Sequence, residues 1–220
     1  MSDPSFPPID ERAIIWSADS RTLGERPLLV LLHGVGSHEG DLFALSPHLP
    51  LQPVIASLRA PGRYGTGWSW YELGTPDDPN SEGVDAAAVS VLAWLDSLDP
   101  APTSVGLFGF SQGAAVSLQL IRHAPERFDF VIQLSGYVTP GDLPGDAQLV
   151  SVRPPVFWGR GTEDDIIPPE AVEFTEDWLP GHSTLDRRTY EGLGHAVSQA
   201  ELSDVVGFLR RHYSATPSAN

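Results

Sequence analysis

Residues 104–116 read Ser104-Val105-Gly106-Leu107-Phe108-Gly109-Phe110-Ser111-Gln112-Gly113-Ala114-Ala115-Val116. The first seven are an apolar run suited to a strand covered on both faces, and from Gln112 the pattern turns helical, to be closed by Pro125. Between them stands Gly-Phe-Ser-Gln-Gly, a G-x-S-x-G. A serine on so tight a strand-to-helix turn presents its Oγ above the sheet edge, and the crowding demands small residues two before and two after it, here Gly109 and Gly113. The helix beginning there aims its free N–H groups at the same point. Without that context the pentapeptide is only a Gly-rich turn with an incidental serine; with it, Ser111 is the candidate nucleophile.

Working outward, short apolar runs bounded by Gly or Pro predict strands at 13–17, 28–33, 54–58, 104–110, 130–135, 156–159 and 184–190. Helical periodicity predicts helices at 83–98, 112–123, 169–179 and 198–213. The order β-β-β-α-β-α-β-β-α-β-α implies an α/β fold, a mostly parallel sheet with helices on both faces. The linker Ala18-Asp19-Ser20-Arg21-Thr22-Leu23-Gly24-Glu25-Arg26-Pro27 carries turn residues and no helix, so the first two strands are expected to pair as an antiparallel N-terminal edge. One domain is expected over 1–220, with loose tails at 1–8 and 214–220.

Composition narrows the chemistry. The 220 residues carry 13 basic and 29 acidic groups, a formal charge of −16, and every basic residue is arginine. With no lysine there is no Schiff base, no Ser-Lys dyad and no P-loop. So negative a field argues against nucleic acid and against stable association with anionic membranes. Cysteine is absent, which removes disulfides, thiolate nucleophiles and cysteine-ligated metals. No 18-residue apolar stretch and no secretory pattern at Met1–Asp10 occur, so a cytoplasmic location is expected.

A serine nucleophile needs a base, and the base an orienting acid, in the chain order Ser, acid, His. Beyond Ser111, His182 and His212 read as solvated surface. His195 falls in Gly192-Leu193-Gly194-His195-Ala196, whose glycines allow the imidazole to swing back over the carboxyl edge of the sheet. The acid lies in the loop after the 156–159 strand, where Glu163, Asp164 and Asp165 are adjacent and spacing does not separate them. His33-Gly34-Val35-Gly36-Ser37 follows a strand as an HG-x-G turn, so the backbone N–H groups of Val35 and Gln112 are the expected oxyanion pair, with their side chains irrelevant to that role and His33 structural. Trp70, Tyr71 and Tyr137 lie in loops expected at the active edge, as pocket lining or as core filler in equal measure.

GFSQG at 109–113, LLHGVGS at 31–37, GTEDDIIP at 161–168 and GLGHAVS at 192–198 together resemble the phospholipase/carboxylesterase family of α/β-hydrolases, which includes bacterial carboxylesterases and acyl-protein thioesterases. Arg59-Ala60-Pro61 and Ser69-Trp70-Tyr71-Glu72 extend the likeness, over about residues 27–212. The resemblance implies an α/β-hydrolase fold without a large lid, Ser111 as nucleophile, Asp164 rather than its neighbours as acid, His195 as base and no metal or organic cofactor. It implies hydrolysis of a small ester, and homodimers are common among such relatives. A short- to medium-chain acyl ester or thioester is expected, since no cap region encloses a long chain. The alternatives are a hydrolase-fold binding protein without catalysis, or the same triad acting on lactones, amides or lysophospholipids. Arg160 and Asp165 depart from the residues common in the family at those places.

Overall fold

In the computed structural model residues 7–75 and 80–214 are described. Along the chain, β1 (Ile15–Trp16), β2 (Leu28–Leu32), α1 (Gly40–Phe43) and β3 (Val54–Leu58) are followed by a hairpin of β4 (Gly62–Tyr64) and β5 (Gly67–Ser69). Then come α2 (Ser81–Ser97), β6 (Val105–Phe110), α3 (Gln112–His123), β7 (Phe130–Leu134) and α4 (Asp146–Val152). The chain continues with β8 (Pro155–Gly161), α5 (Pro169–His182), β9 (Thr184–Tyr190) and α6 (Gln199–Ser214). Seven strands form one sheet in the order β1-β3-β2-β6-β7-β8-β9, parallel throughout except for β1. This is the α/β-hydrolase architecture.

Because successive strand residues point to opposite faces, the unbroken Leu28-Leu29-Val30-Leu31-Leu32 run feeds two cores. Leu28, Val30 and Leu32 pack with apolar residues of α2, α3 and α5, while Leu29 and Leu31 join those of α1 and α6. Gly106 in β6 is required by packing, since a Cβ there would collide with the Phe130 ring.

The first strand is antiparallel, as expected, but its partner is β3 and not β2, through Ile15↔Ser57 and Trp16↔Ala56. It spans two residues of the expected 13–17 run; Ala13 closes a 3-10 turn instead. The linker thought to lack helix forms a 3-10 helix, Ser20–Glu25, capped by Asp19, and buries Leu23. That turn carries the chain past the edge, so β2, apolar on both faces, is laid between β3 and β6.

Three short features, α1, α4 and the β4–β5 hairpin, lie outside the expected list because pieces of three to seven residues carry no measurable periodicity. α5 runs through Pro180 to His182 where an end at Leu179 was expected. The Arg153 guanidinium stabilises that end by donating to the carbonyls of Pro180, Gly181 and Ser183 at 2.7–3.0 Å. Of the tails, 1–6 and 215–220 lie outside the described residues, Pro7 and Pro8 are exposed coil, and Ser214 ends α6. No described helix is long and apolar enough to cross a membrane.

Candidate active site

Ser111 leaves β6 with φ 54° and ψ −118°, a conformation that non-glycine residues seldom adopt and that marks stored backbone strain. Its N–H is anchored to the Leu134 carbonyl at 2.8 Å. The two flanking glycines are sterically obligatory: a Cβ at Gly109 would strike the backbone of Gly113 and Ala114, and one at Gly113 would strike the carbonyls of Leu32 and His33. α3 is thus pressed against the ends of β2 and β6 with Ser111 at the junction.

His195 Nε2 lies 2.8 Å from Ser111 Oγ, and His195 Nδ1 lies 2.9 and 3.0 Å from the two Asp164 oxygens. With the carboxylate accepting from Nδ1–H, Nε2 is free to accept the serine proton. The three acidic neighbours of the acid loop now separate: the Asp164 side chain is wholly buried, whereas Glu163 and Asp165 are exposed. Burial alone would raise the Asp164 carboxyl, but the hydrogen bond and charge of His195 and the amides of Ile166 and Ile167 outweigh it and hold it below the usual carboxylate range.

The loops carrying acid and base are joined to each other. Thr162 N–H donates to Tyr190 O (3.0 Å), Glu163 N–H to Leu193 O (2.9 Å) and Gly192 N–H to Thr162 Oγ1 (2.9 Å). Gly161 allows this approach, since a Cβ there would meet the Leu193 carbonyl. Arg160 sits within the β8–β9 ladder opposite Thr189, so the departure at that position leaves the acid loop on a regular strand.

The HG-x-G turn lies against the serine: a Cβ added to Gly34 would come within 3.4 Å of Ser111 Cβ. Among the described residues, neither Val35 N–H nor Gln112 N–H makes a backbone hydrogen bond, whereas Gly36 and Ser37 do. His33 is fully buried; its Nδ1 donates to Gly34 O (2.7 Å) and its Nε2 accepts from Ala60 N–H (3.2 Å), and burial pushes its pKa down.

Trp70 and Tyr71 are buried in the core that contains α2 and α3. The Trp70 indole N–H donates to the His33 carbonyl at 2.8 Å. The Tyr71 hydroxyl meets that of half-buried Tyr137 at 2.9 Å, and burial raises the pKa of both phenols. His182 and His212 are not the solvated side chains expected. One stacks on Trp178 with centroids 3.8 Å apart, and the other packs on Phe208 at 4.3 Å. Two contacts had no sequence signal: the Phe110 ring lies 5.0 Å from the His195 imidazole, and the Gln112 side chain holds the 69–71 segment. Among the described residues no group of three His, Asp or Glu is placed to hold a metal ion.

The profile of the phospholipase/carboxylesterase family matches residues 17–213, and the chain belongs to that family of hydrolases. It is 28% identical over 217 residues to the acyl-protein thioesterase 1 of Kluyveromyces lactis, covering 87% of this chain and 94% of that one. To the carboxylesterase SOBER1 of Arabidopsis thaliana it is 28% identical over 225 residues, covering 88% and 93%. The crystal structure of the Bacillus cereus carboxylesterase shares the fold with a TM-score of 0.77 at 18% identity, over 90% of this chain and 93% of that one.

Proposed function

We propose that this protein is a serine ester hydrolase working through an acyl-enzyme on Ser111. The observation that carries the reading is the unbroken contact from Ser111 Oγ through the His195 ring to buried Asp164. His195 Nε2 takes the serine proton as Oγ attacks the acyl carbonyl, and Asp164 holds the ring tautomer and stabilises the imidazolium. The tetrahedral oxygen is received by the N–H groups of Val35 and Gln112, whose lack of backbone partners supports that role. The same imidazolium protonates the leaving group, and water repeats the sequence to release the acid.

The substrate is a small carboxylic ester. Short to medium acyl chains are assigned, because among the described residues the insertion between β3 and α2 is a hairpin of two three-residue strands and no helical cap is present. Thioesters are the second reading, favoured by the acyl-protein thioesterases among the relatives and by the common acyl-enzyme chemistry. The test is initial-rate hydrolysis of p-nitrophenyl acetate, butyrate, octanoate and palmitate, with butyryl thiocholine beside them, by the wild type and Ser111→Ala. Loss of turnover in the variant and a maximum at or below octanoate are expected. Undiminished turnover in Ser111→Ala overturns the mechanism; a maximum at palmitate overturns the chain-length assignment.

A further inference from the structure

The two oxyanion donors belong to separate segments, Val35 to the turn after β2 and Gln112 to the first turn of α3, so their alignment depends on whatever holds that turn against that helix. The near side of the turn rests directly on α3 at Gly113. Its far side is bonded to residues 68–70: Gly36 N–H donates to Trp68 O (2.8 Å), Trp68 N–H to Ser37 O (2.9 Å), and the Trp70 indole N–H to His33 O (2.8 Å), while Ala60 N–H donates to the His33 ring (3.2 Å) and Ser37 Oγ to Asp41 (2.6 Å). The adjoining segment is in turn gripped by one side chain. Gln112 Oε1 accepts from Trp70 N–H at 2.8 Å, and Gln112 Nε2 donates to Tyr71 O at 2.8 Å and to Ser69 Oγ at 3.1 Å. The Ser69 hydroxyl in turn donates a hydrogen bond to the Tyr71 carbonyl.

We propose that the Gln112 carboxamide is the positioning residue of the oxyanion site, fixing Val35 N–H through the 69–71 segment while its own backbone N–H serves as the other donor. The inference rests on the acyl-enzyme reading above. Gln112 is 3% exposed, so its donors and acceptor have no water to fall back on, and every polar contact described for it goes to this segment. The position requires an acceptor and a donor at once at the reach of a glutamine: a carboxylate would face the Tyr71 carbonyl, and a thioether offers neither bond. Loss of the clamp leaves the N–H of residue 112 in place but frees the far side of the turn. Misplacement of a catalytic group by about 1 Å costs on the order of 100-fold, and loss of one oxyanion donor about 100- to 1,000-fold.

The test uses Gln112→Met and Trp70→Phe, singly and together, on the full chain with p-nitrophenyl butyrate and a trifluoromethyl ketone whose hemiketal oxygen occupies the oxyanion site. In each single variant kcat is expected to fall about 30-fold or more with KM within about threefold. Inhibitor affinity falls in step, and the double variant loses little more than the worse single one, because both changes cut the same link. Wild-type kcat and inhibitor affinity in a folded variant, a rise in KM alone, or fully additive losses overturn the proposal. Should Gln112→Met fail to fold, Trp70→Phe decides on the same readouts. Ser111→Ala separates the two levels: turnover there removes the acyl-enzyme reading itself, whereas a dead Ser111→Ala beside an unimpaired Gln112→Met removes only the clamp.

Discussion

At the scale of single residues, the site combines strain and burial. Ser111 is held at positive φ by the approach of α3 to β2, which glycine at 109 and 113 alone permits. Burial singles out Asp164: of three consecutive acids it is the one withdrawn from water and given the Nδ1–H of His195 and two loop amides. An amide in its place would present a donor to Nδ1 and favour the tautomer with the proton on Nε2, which cannot accept from serine. Asp164→Asn is therefore expected to lower kcat by about 10⁴-fold with little change in KM. Steady-state kinetics near pH 7 checks this; a loss under tenfold would mean that another acid orients His195.

At the scale of elements, buried polar side chains set how helices and loops meet. Arg122 on α3 is 1% exposed and donates to both Asp146 oxygens (2.8 and 2.7 Å), to Thr139 O (2.7 Å), to Gly141 O and to Gln119 Oε1 (3.2 Å). One guanidinium thereby joins α3 to the segment after β7 and to the start of α4, with the Trp178 ring of α5 alongside at 5.3 Å. Arg122→Met keeps the aliphatic stem but strands the Asp146 carboxylate and two carbonyls. The expected cost is about 3–5 kcal/mol, read as a lower urea midpoint with unchanged slope. A shift below about 1 kcal/mol would show that water replaces the arginine. The 162–164 and 191–193 loops, by contrast, are joined mostly through backbone N–H and carbonyl groups, with the Thr162 hydroxyl added and Gly161 leaving the room, which places acid and base together.

For the whole molecule, the sheet edges and the titration of the interior matter most. β9 is an open edge, and its Asp186 pairs with Arg188 and Arg211 at 3.0 Å, a charged border that discourages strand addition. Behind β8, Glu201 of α6 is fully buried with both carboxylate oxygens unpartnered, in space that Gly159 leaves open. Burial, with the charge of Asp204, pushes its pKa up to about 7, against the smaller lowering effect of the nearby Ser198 backbone. The folded state then binds this proton more tightly than the unfolded chain does. Its contribution is favourable at low pH and is lost as pH rises from about 4.3 through about 7, by at most about 4 kcal/mol. Asp164 and Asp146, both depressed, act oppositely and lose their contribution as pH falls through their folded values. Urea unfolding at pH 5 and pH 8 should show a decline in the wild type that Glu201→Gln abolishes; parallel declines in both would assign it to other groups.

Much of this was legible in the order of residues. Near-continuous apolar runs bounded by Gly or Pro point to strands covered on both faces, a G-x-S-x-G between such a run and a helical pattern points to a sharp turn, and Gly192 and Gly194 mark a loop able to return His195 to the sheet edge; all three are local consequences of side-chain volume and backbone freedom. What tertiary structure alone decided depends on distance through space. The partner of β1 follows from where a 3-10 turn delivers β2, and that Asp164 rather than Glu163 or Asp165 meets the His195 ring follows from which carboxylate is shut off from water. Gln112 is the sharpest case. A backbone oxyanion role is what the motif predicts for it, but its side chain bonds to residues some forty positions earlier in the chain, and local sequence cannot encode which distant carbonyl and amide a buried amide will find.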